Sequence, residues 1–188
     1  MRRLHVDARR GIRGTDLLGA LVELGAPAGS LAEAQAALGL PAQKGLALVR
    51  PLDVHALLDR ASVSETARWI ASDAAGRMLL AQGERKVELD GAALALALAC
   101  ATALDALRLA DASCSRVGIP APTPAPVAHA LVAWDGLTDP GTGETDLEGA
   151  ALLCAFVSPD DAGGPEPAWI APPRRGRSGT LALAVGNV

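Results

Sequence analysis

Apolar and polar positions alternate at the start of the chain, Leu4-His5-Val6, and the alternation stops at Asp7, which predicts a short strand. Arg9, Arg10, Gly11, Ile12, Arg13 and Gly14 then fit neither period and read as a glycine-punctuated loop. Beyond it, Leu17, Leu18, Leu21 and Leu24 recur at helical spacing, with Thr15 or Asp16 placed to cap the helix and Gly25 and Pro27 to stop it. The same logic predicts a helix over 31–38, capped by Ser30 and closed by Gly39, and a strand over 46–49. Two more helices are expected over 52–60 and 64–81, the second with Ser64 as cap and Gly83 as stop. Residues 92–109 begin as an Ala/Leu alternation that imitates a strand. Alanine favours helix and disfavours strand, so a helix is expected.

Residues 113–118 have strand character. Pro120, Pro122, Pro124 and Pro126 follow at every second position, a pattern that neither propagates a helix nor pairs in a central strand. An extended connector is expected, with Pro126 in the first turn of a short helix through Leu131 and Val132. Residues 139–143 read as a turn-rich loop, Asp146 as the cap of a helix over 147–156, and 160–167 as another loop. Trp169-Ile170 and residues 181–185 look like a final pair of strands joined by Arg174, Arg175, Gly176, Arg177, Ser178 and Gly179. No repeat or linker divides the 188 residues, so one α/β domain is expected, a small sheet packed by Ala/Leu-rich helices.

Composition narrows the function. Seventeen basic against 21 acidic residues leave a net charge of −4, and aromatics are 2% with no Tyr and one Phe. Neither a basic footprint nor a base-stacking platform is present, so nucleic acid is not an expected partner. The longest apolar segment, 92–104, is too short to span a bilayer and runs into Asp105. No membrane partner is expected. Cys100, Cys114 and Cys154 are odd in number and lack C-x-x-C spacing, which points to reduced thiols, Cys100 and Cys154 packed in helix cores. The basic start of the chain has no apolar run of signal-peptide length. The expected location is cytoplasmic.

The first loop carries the strongest candidate chemistry. A strand ending in Asp7, then Gly11 and Gly14, then a helix N-terminus can turn backbone N–H groups and a positive dipole end toward an anion, with Arg9, Arg10 and Arg13 adding charge. Asp7 would serve there as a ligand or base, though the glycine spacing matches neither a P-loop nor a dinucleotide fingerprint. Arg174, Arg175 and Arg177 form a second basic cluster, and both clusters would face one pocket if the last strand pairs near the first. The alternative for each is a solvated turn with surface arginines. His5, His55 and His129 have no ligand-type helical partner, so no metal ligands are assigned. Glu144, Asp146 and Glu148, like Glu88 and Asp90, sit where solvated cap and loop carboxylates are common.

The stretch Leu4-His5-Val6-Asp7-Ala8-Arg9-Arg10-Gly11-Ile12-Arg13-Gly14-Thr15-Asp16-Leu17-Leu18-Gly19-Ala20-Leu21 resembles the opening of the LarC family, a strand, Asp-Ala, a loop of the type S-G-I-S-G-D-M and a helix F-L-G-A-L. Ala103-Leu104-Asp105-Ala106-Leu107 is similar to the family's A-L-D-L-L, Pro122-Thr123-Pro124-Ala125-Pro126 to its P-V-P-A-P, and Thr145-Asp146-Leu147-Glu148-Gly149-Ala150-Ala151-Leu152 to its T-T-P-T-G-A-A-L. Ser178-Gly179-Thr180 and Gly186-Asn187-Val188 echo its A-G-T and P-N-V, so the resemblance is thin but ordered along most of the chain. LarC proteins insert nickel, in a CTP-dependent reaction, into a pincer cofactor that is a pyridinium bis-thiocarboxylate mononucleotide. The resemblance therefore implies a nickel-chelatase framework. Its candidate catalytic groups are Asp7, Thr15 and Asp16, and its candidate ligand-binding residues are Arg9, Gly11, Arg13, Gly14, Pro124, Glu148, Arg175 and Arg177.

The departures concern polar groups. The family's His-rich insertion is missing at Val49-Arg50-Pro51-Leu52, the two histidines of its H-F-H-E are absent near Val87-Glu88-Leu89-Asp90, and acidic positions in the next helix are apolar around Ala92 and Leu96. The S-G-D of the loop is Arg13-Gly14-Thr15, His-Gly before the prolines is Val117-Gly118, and of the T-T-P-T threonines Thr145 remains, with Glu148 near the last. The chain stops where a C-terminal domain resembling the seat of CTP binding would begin. Nickel is the one cofactor suggested, and few imidazole or thiolate ligands are left for it. The first expectation is a LarC-like protein that assists nickel-pincer assembly or binds its phosphorylated or carboxylated precursor. The second is a repurposed scaffold with an apolar pocket near Asp7 and the prolines, acting as a cyclase of specialised metabolism. The third is a non-catalytic subunit, homo-oligomeric or completed by a partner chain.

Overall fold

The structure, a computed structural model, describes residues 2–41, 47–83, 88–109, 111–162, 174–175 and 181–187. Strand β1 (Arg2–Asp7) leads through the glycine loop into helix α1 (Gly14–Glu23), and α2 (Ser30–Leu38) follows. The short strand β2 (Leu48–Val49) precedes α3 (Pro51–Arg60) and α4 (Glu65–Ala81); β3 (Leu89–Asp90) leads directly into α5 (Gly91–Ala106). Strands β4 (Asp111–Cys114) and β5 (Val117–Ile119), helix α6 (Ala125–Ala130), a 3-10 turn (Val132–Trp134) and β6 (Thr138–Pro140) come next. Helix α7 (Leu147–Phe156), a second 3-10 turn (Pro159–Asp161), β7 (Arg174–Arg175) and β8 (Ala182–Asn187) complete a single-domain α/β fold.

The main sheet has the order β4-β1-β8-β7, with β1 parallel to β4 and antiparallel to β8. Two separate two-stranded ladders, antiparallel β2 with β3 and parallel β5 with β6, stand beside it. Leu4 and Val6 of β1 are buried toward the helices, as the period of two requires. Helix α5 is the centre of the molecule, packed against α1, α2, α4 and α7 and buried from Ala93 to Ala101 on every face. A helix that is apolar all round belongs in a core. Its alanines allow neighbouring helices to approach closely, while Leu94, Leu96, Leu98 and Leu104 each contribute about 1.5–3 kcal/mol of burial. This places the Ala/Leu segment as the helix that its alanines predict.

Several expectations are corrected. Arg13 is the N-cap of α1 and makes no side-chain cap; neither Thr15 nor Asp16 caps the helix, because both already lie inside its first turn. Ser30 is likewise the first residue of α2, with Gly29 as cap, whereas Ser64 does cap α4 by accepting from Ala67 N–H at 3.0 Å. Residues 113–118 are not one strand: the chain turns at Ser115 and Arg116, so that β4 joins β1 and β5 joins β6. Residues 138–140, read as part of a loop, are that partner strand, set by pairing with β5 despite Pro140 at its end. Helix α5 ends three residues early because Arg108 adopts a left-handed φ of 49°, and α6 gives way to the 3-10 turn at Leu131. The expected strand at Trp169-Ile170 and the segment Ser178-Gly179-Thr180 lie outside the described residues, as does Arg177.

Candidate functional site

The loop between β1 and α1 does not stand in solvent. Its backbone is gripped by two other segments, 115–118 and 143–149, through hydrogen bonds that use most of its own N–H groups. Ala8 N–H donates to Ser115 Oγ at 2.8 Å, Gly11 N–H to the Ala8 carbonyl at 2.8 Å, and Ile12 N–H to Thr145 Oγ1 at 3.1 Å. Gly14 N–H donates to Asp146 Oδ1 at 3.1 Å, and Arg9 N–H to Asp7 Oδ1 at 3.3 Å. In return the Ala8, Arg10 and Ile12 carbonyls accept from Gly118, Glu144 and Asp146 N–H. A loop whose donors are committed in this way has few left for an anion, so the backbone cradle expected from the glycines is spent on holding the loop.

Side-chain volume is excluded for the same reason. Gly11 sits at φ 104° with the Glu144 carbonyl oxygen 2.6 Å from where a Cβ would lie. A Cβ at Gly118 would overlap the Arg9 carbonyl, and one at Gly149 the Ile12 carbonyl. At Gly14 it would come within 2.9 Å of both the Glu148 Cβ and a Leu96 methyl, which seats Glu148 of α7 and Leu96 of α5 directly behind the loop. Thr145 is the buried pin of this clasp, 5% exposed, accepting from Ile12 and donating to the Gly118 carbonyl at 2.6 Å. Asp146 caps α7 through Gly149 N–H at 2.7 Å and reaches across to the first N–H of α1. One carboxylate thus serves two helix N-termini, and α1 needs no cap of its own.

The charged side chains line the outer rim. Asp7 is held bidentately by Arg9, Nε to Oδ1 at 2.8 Å and Nη2 to Oδ2 at 2.7 Å, and this guanidinium keeps its carboxyl below the usual range. Such a carboxylate stays ionised and is a weak base. Asp146 is pushed the other way, its carboxyl raised chiefly by burial. Arg13 lies 3.6 Å from Glu144, Arg116 pairs with Asp139 at 2.8 Å, and Arg9 and Arg10 are exposed. Asp16 is buried in the first turn of α1 and Thr15 is exposed beside it. The last strand does pair with the first: Asp7 faces Ala182, and Ala182 faces Arg175 on β7. Arg175 is therefore two strand spacings, about 10 Å, from Asp7 along the sheet. Pro124 is the exposed N-cap of α6 and belongs to the connector downstream of Gly118, not to the clasp.

The sequence singles out Asp7, the arginines, Gly11, Gly14 and the Asp146 cap, names Thr145, Gly118 and Gly149 only within the resemblance and without their hydrogen-bonding or packing roles, and gives no role to Ser115. Their signal was glycines outside predicted turns, accompanied by single hydroxyl residues. Metal chemistry finds little here. Among the described residues no three His, Cys, Asp or Glu side chains are grouped to hold an ion. His5 is buried with Nδ1 3.0 Å from Ser113 Oγ, and His55 lies 3.2 Å from Ser72 Oγ. The three thiols are buried apart, Cys154 raised to about 12 and the other two pushed up further by desolvation, so none is a thiolate ligand. The described residues do not fit a nickel centre.

Two cavities can be described, and neither is lined by Asp7 or the prolines: one of about 250 Å³ beside Leu4 and Phe156, the other of about 560 Å³ on the outer face of α3 and α4 near Trp69. No helix among the described residues is long and apolar enough to cross a membrane. Comparisons of the chain with protein-family models, with curated proteins and with solved structures return no match.

Proposed function

We propose that this chain is a LarC-like protein that binds a phosphorylated or carboxylated small molecule, the nucleotide-like precursor of a nickel-pincer cofactor, at the rim of the 7–14 loop, without a nickel centre of its own. What supports this reading is one convergence. Two of the segments on which the resemblance rests, 4–21 and 145–152, are far apart in sequence yet meet through hydrogen bonds around a single arginine-bearing loop. The backbone of Arg175 on β7 lies in register with Asp7 across β8.

With the backbone donors committed, recognition falls to guanidinium forks. Arginine grips phosphate and carboxylate bidentately, and each such charge-assisted contact is worth about 1.5–3 kcal/mol. Arg13 and Arg175 would hold the two anionic ends, while Asp7 fixes Arg9 beside them. Thr15 and Asp16 at the start of α1 would contact the sugar hydroxyls, and Glu148 and Gly14 would back the loop. This chain would carry the precursor rather than insert metal.

The test is calorimetric titration with nicotinate mononucleotide, which carries both a phosphate and a carboxylate on a pyridinium. Saturable binding is expected, weakened about tenfold or more in Arg13→Ala and in Arg175→Ala. Nickel added and then desalted should not remain at stoichiometric level. Absent mononucleotide binding, or affinity unchanged in both variants, would sink the reading.

A further inference from the structure

The smaller cavity, about 250 Å³, lies well apart from the clasp, where the end of α5 and the start of α4 meet β1 and β4. We propose that it is a binding site for a free amino acid with a hydrocarbon or phenyl side chain. Leu4, Ile70, Leu104, Leu109 and Phe156 form its walls, from four different parts of the chain. Asp105 and Arg108 stand in the same lining, one carboxylate and one guanidinium separated by a single turn. Among the described residues neither has a side-chain hydrogen bond or ion pair, and they do not pair with each other. The remaining charge in the lining, Asp111, is already matched by Arg3 at 3.1 Å.

Two opposite charges left open beside hydrocarbon select a ligand that carries both. A simple carboxylic acid would leave Asp105 without a partner and an amine would leave Arg108 so, whereas an α-amino acid gives its ammonium to the one and its carboxylate to the other. Arg3 bridges Asp111 and Asp161, so the charges left for a ligand are Asp105 and Arg108, one of each sign, which suits a zwitterion over an anion or a cation. Thr66 of α4 adds a hydroxyl to the same lining. The volume equals that of about eight waters at roughly 30 Å³ each, the displacement of one apolar amino acid and below the usual drug-sized pocket. The backbone points the same way. Arg108 occupies the left-handed position after α5, at φ 49°, where a helix ordinarily places glycine. A long charged side chain thus stands where the geometry favours glycine, and backbone strain of this kind clusters at functional positions.

The experiment titrates the whole chain with L-phenylalanine and L-leucine by calorimetry, with 3-phenylpropanoate and 2-phenylethylamine as one-charge analogues. Saturable binding of at least one amino acid is expected, weaker by tenfold or more for both analogues and in both Arg108→Gly and Asp105→Asn. Glycine fits φ 49° without strain and asparagine keeps the shape of aspartate, so both variants should unfold cooperatively like the parent. No saturable binding of either amino acid overturns the site. Equal affinity for 3-phenylpropanoate, or affinity unchanged in either variant, overturns the zwitterion assignment.

Discussion

Replacing Thr145 by valine keeps the shape of a buried side chain and removes one oxygen. That oxygen accepts from Ile12 N–H at 3.1 Å and donates to the Gly118 carbonyl at 2.6 Å, in a residue 5% exposed. Thr145→Val therefore strands one buried donor and one buried acceptor, each at about 1–3 kcal/mol, and recovers about 1 kcal/mol from the added methyl. The net expectation is a loss of about 1–5 kcal/mol, set against the 5–15 kcal/mol typical of a domain. For a chain of this length a loss of about 3 kcal/mol lowers Tm by about 6–12 °C. Urea denaturation followed by circular dichroism measures it, and the slope with denaturant should not change. Thr145→Ser is the matching control: it keeps both hydrogen bonds and forfeits one methyl, about 1 kcal/mol. If the valine variant stays within about 0.5 kcal/mol of the parent, or the serine variant loses as much as the valine, the clasp does not depend on this hydroxyl and the reasoning fails.

Gly149→Ala places a methyl against the Ile12 carbonyl, backbone on backbone, and should cost about 3 kcal/mol or more, whereas Gly76→Ala in α4 meets open space and should gain about 0.5–1 kcal/mol in the same denaturation assay. The two carboxylates should shape acid stability in opposite senses. Asp7 titrates below its unfolded value of 3.8, so its contribution is present above that pH and is lost as the pH falls through the folded value; Asp7→Asn should blunt this acid loss. Asp146 titrates above 3.8, so its contribution is full below that value and fades as the pH rises through the folded one; Asp146→Asn, still a helix cap, should remove that decline. Urea stability from about pH 3 to pH 7 reads both, and a profile parallel to the parent's in either variant contradicts the corresponding assignment.

What sequence made legible was local. Strand β1, the Ser64 and Asp146 caps, the Gly39 and Gly83 stops and the helical fate of the Ala/Leu segment all follow from propensity and capping within a few residues. The pairing of β8 with β1 was a conditional idea, and the register Asp7–Ala182–Arg175 gives it substance. What could not be read is non-local. Residues 113–118 split because Ser115 Oγ is needed by Ala8 N–H, and 138–140 become a strand because β5 offers an edge; neither demand leaves a period in the chain. The α1 cap was misplaced for the same reason. Thr15 and Asp16 have the right chemistry close at hand, but Asp146, 132 residues later, already satisfies the Gly14 N–H.

These facts bear on how the loop can work. A glycine loop that binds an oxyanion keeps its N–H groups pointing outward and uses glycine to let the ligand approach. Here glycine lets other backbone approach instead: Glu144 at Gly11, Arg9 at Gly118 and Ile12 at Gly149 fill the places where a ligand or a Cβ would be. Leu96 behind Gly14 continues that filling from the hydrocarbon surface of α5. The two features belong together, since an apolar core helix can press directly against a loop whose backbone is closed. The same rigidity that closes the backbone cradle holds the bases of Arg9, Arg10 and Arg13 in fixed positions, and long side chains on a fixed base are the part of the loop still able to meet a ligand. Under the proposed function, recognition at this rim would depend on guanidinium reach and planarity, and a lysine at the same positions would supply the charge without the fork.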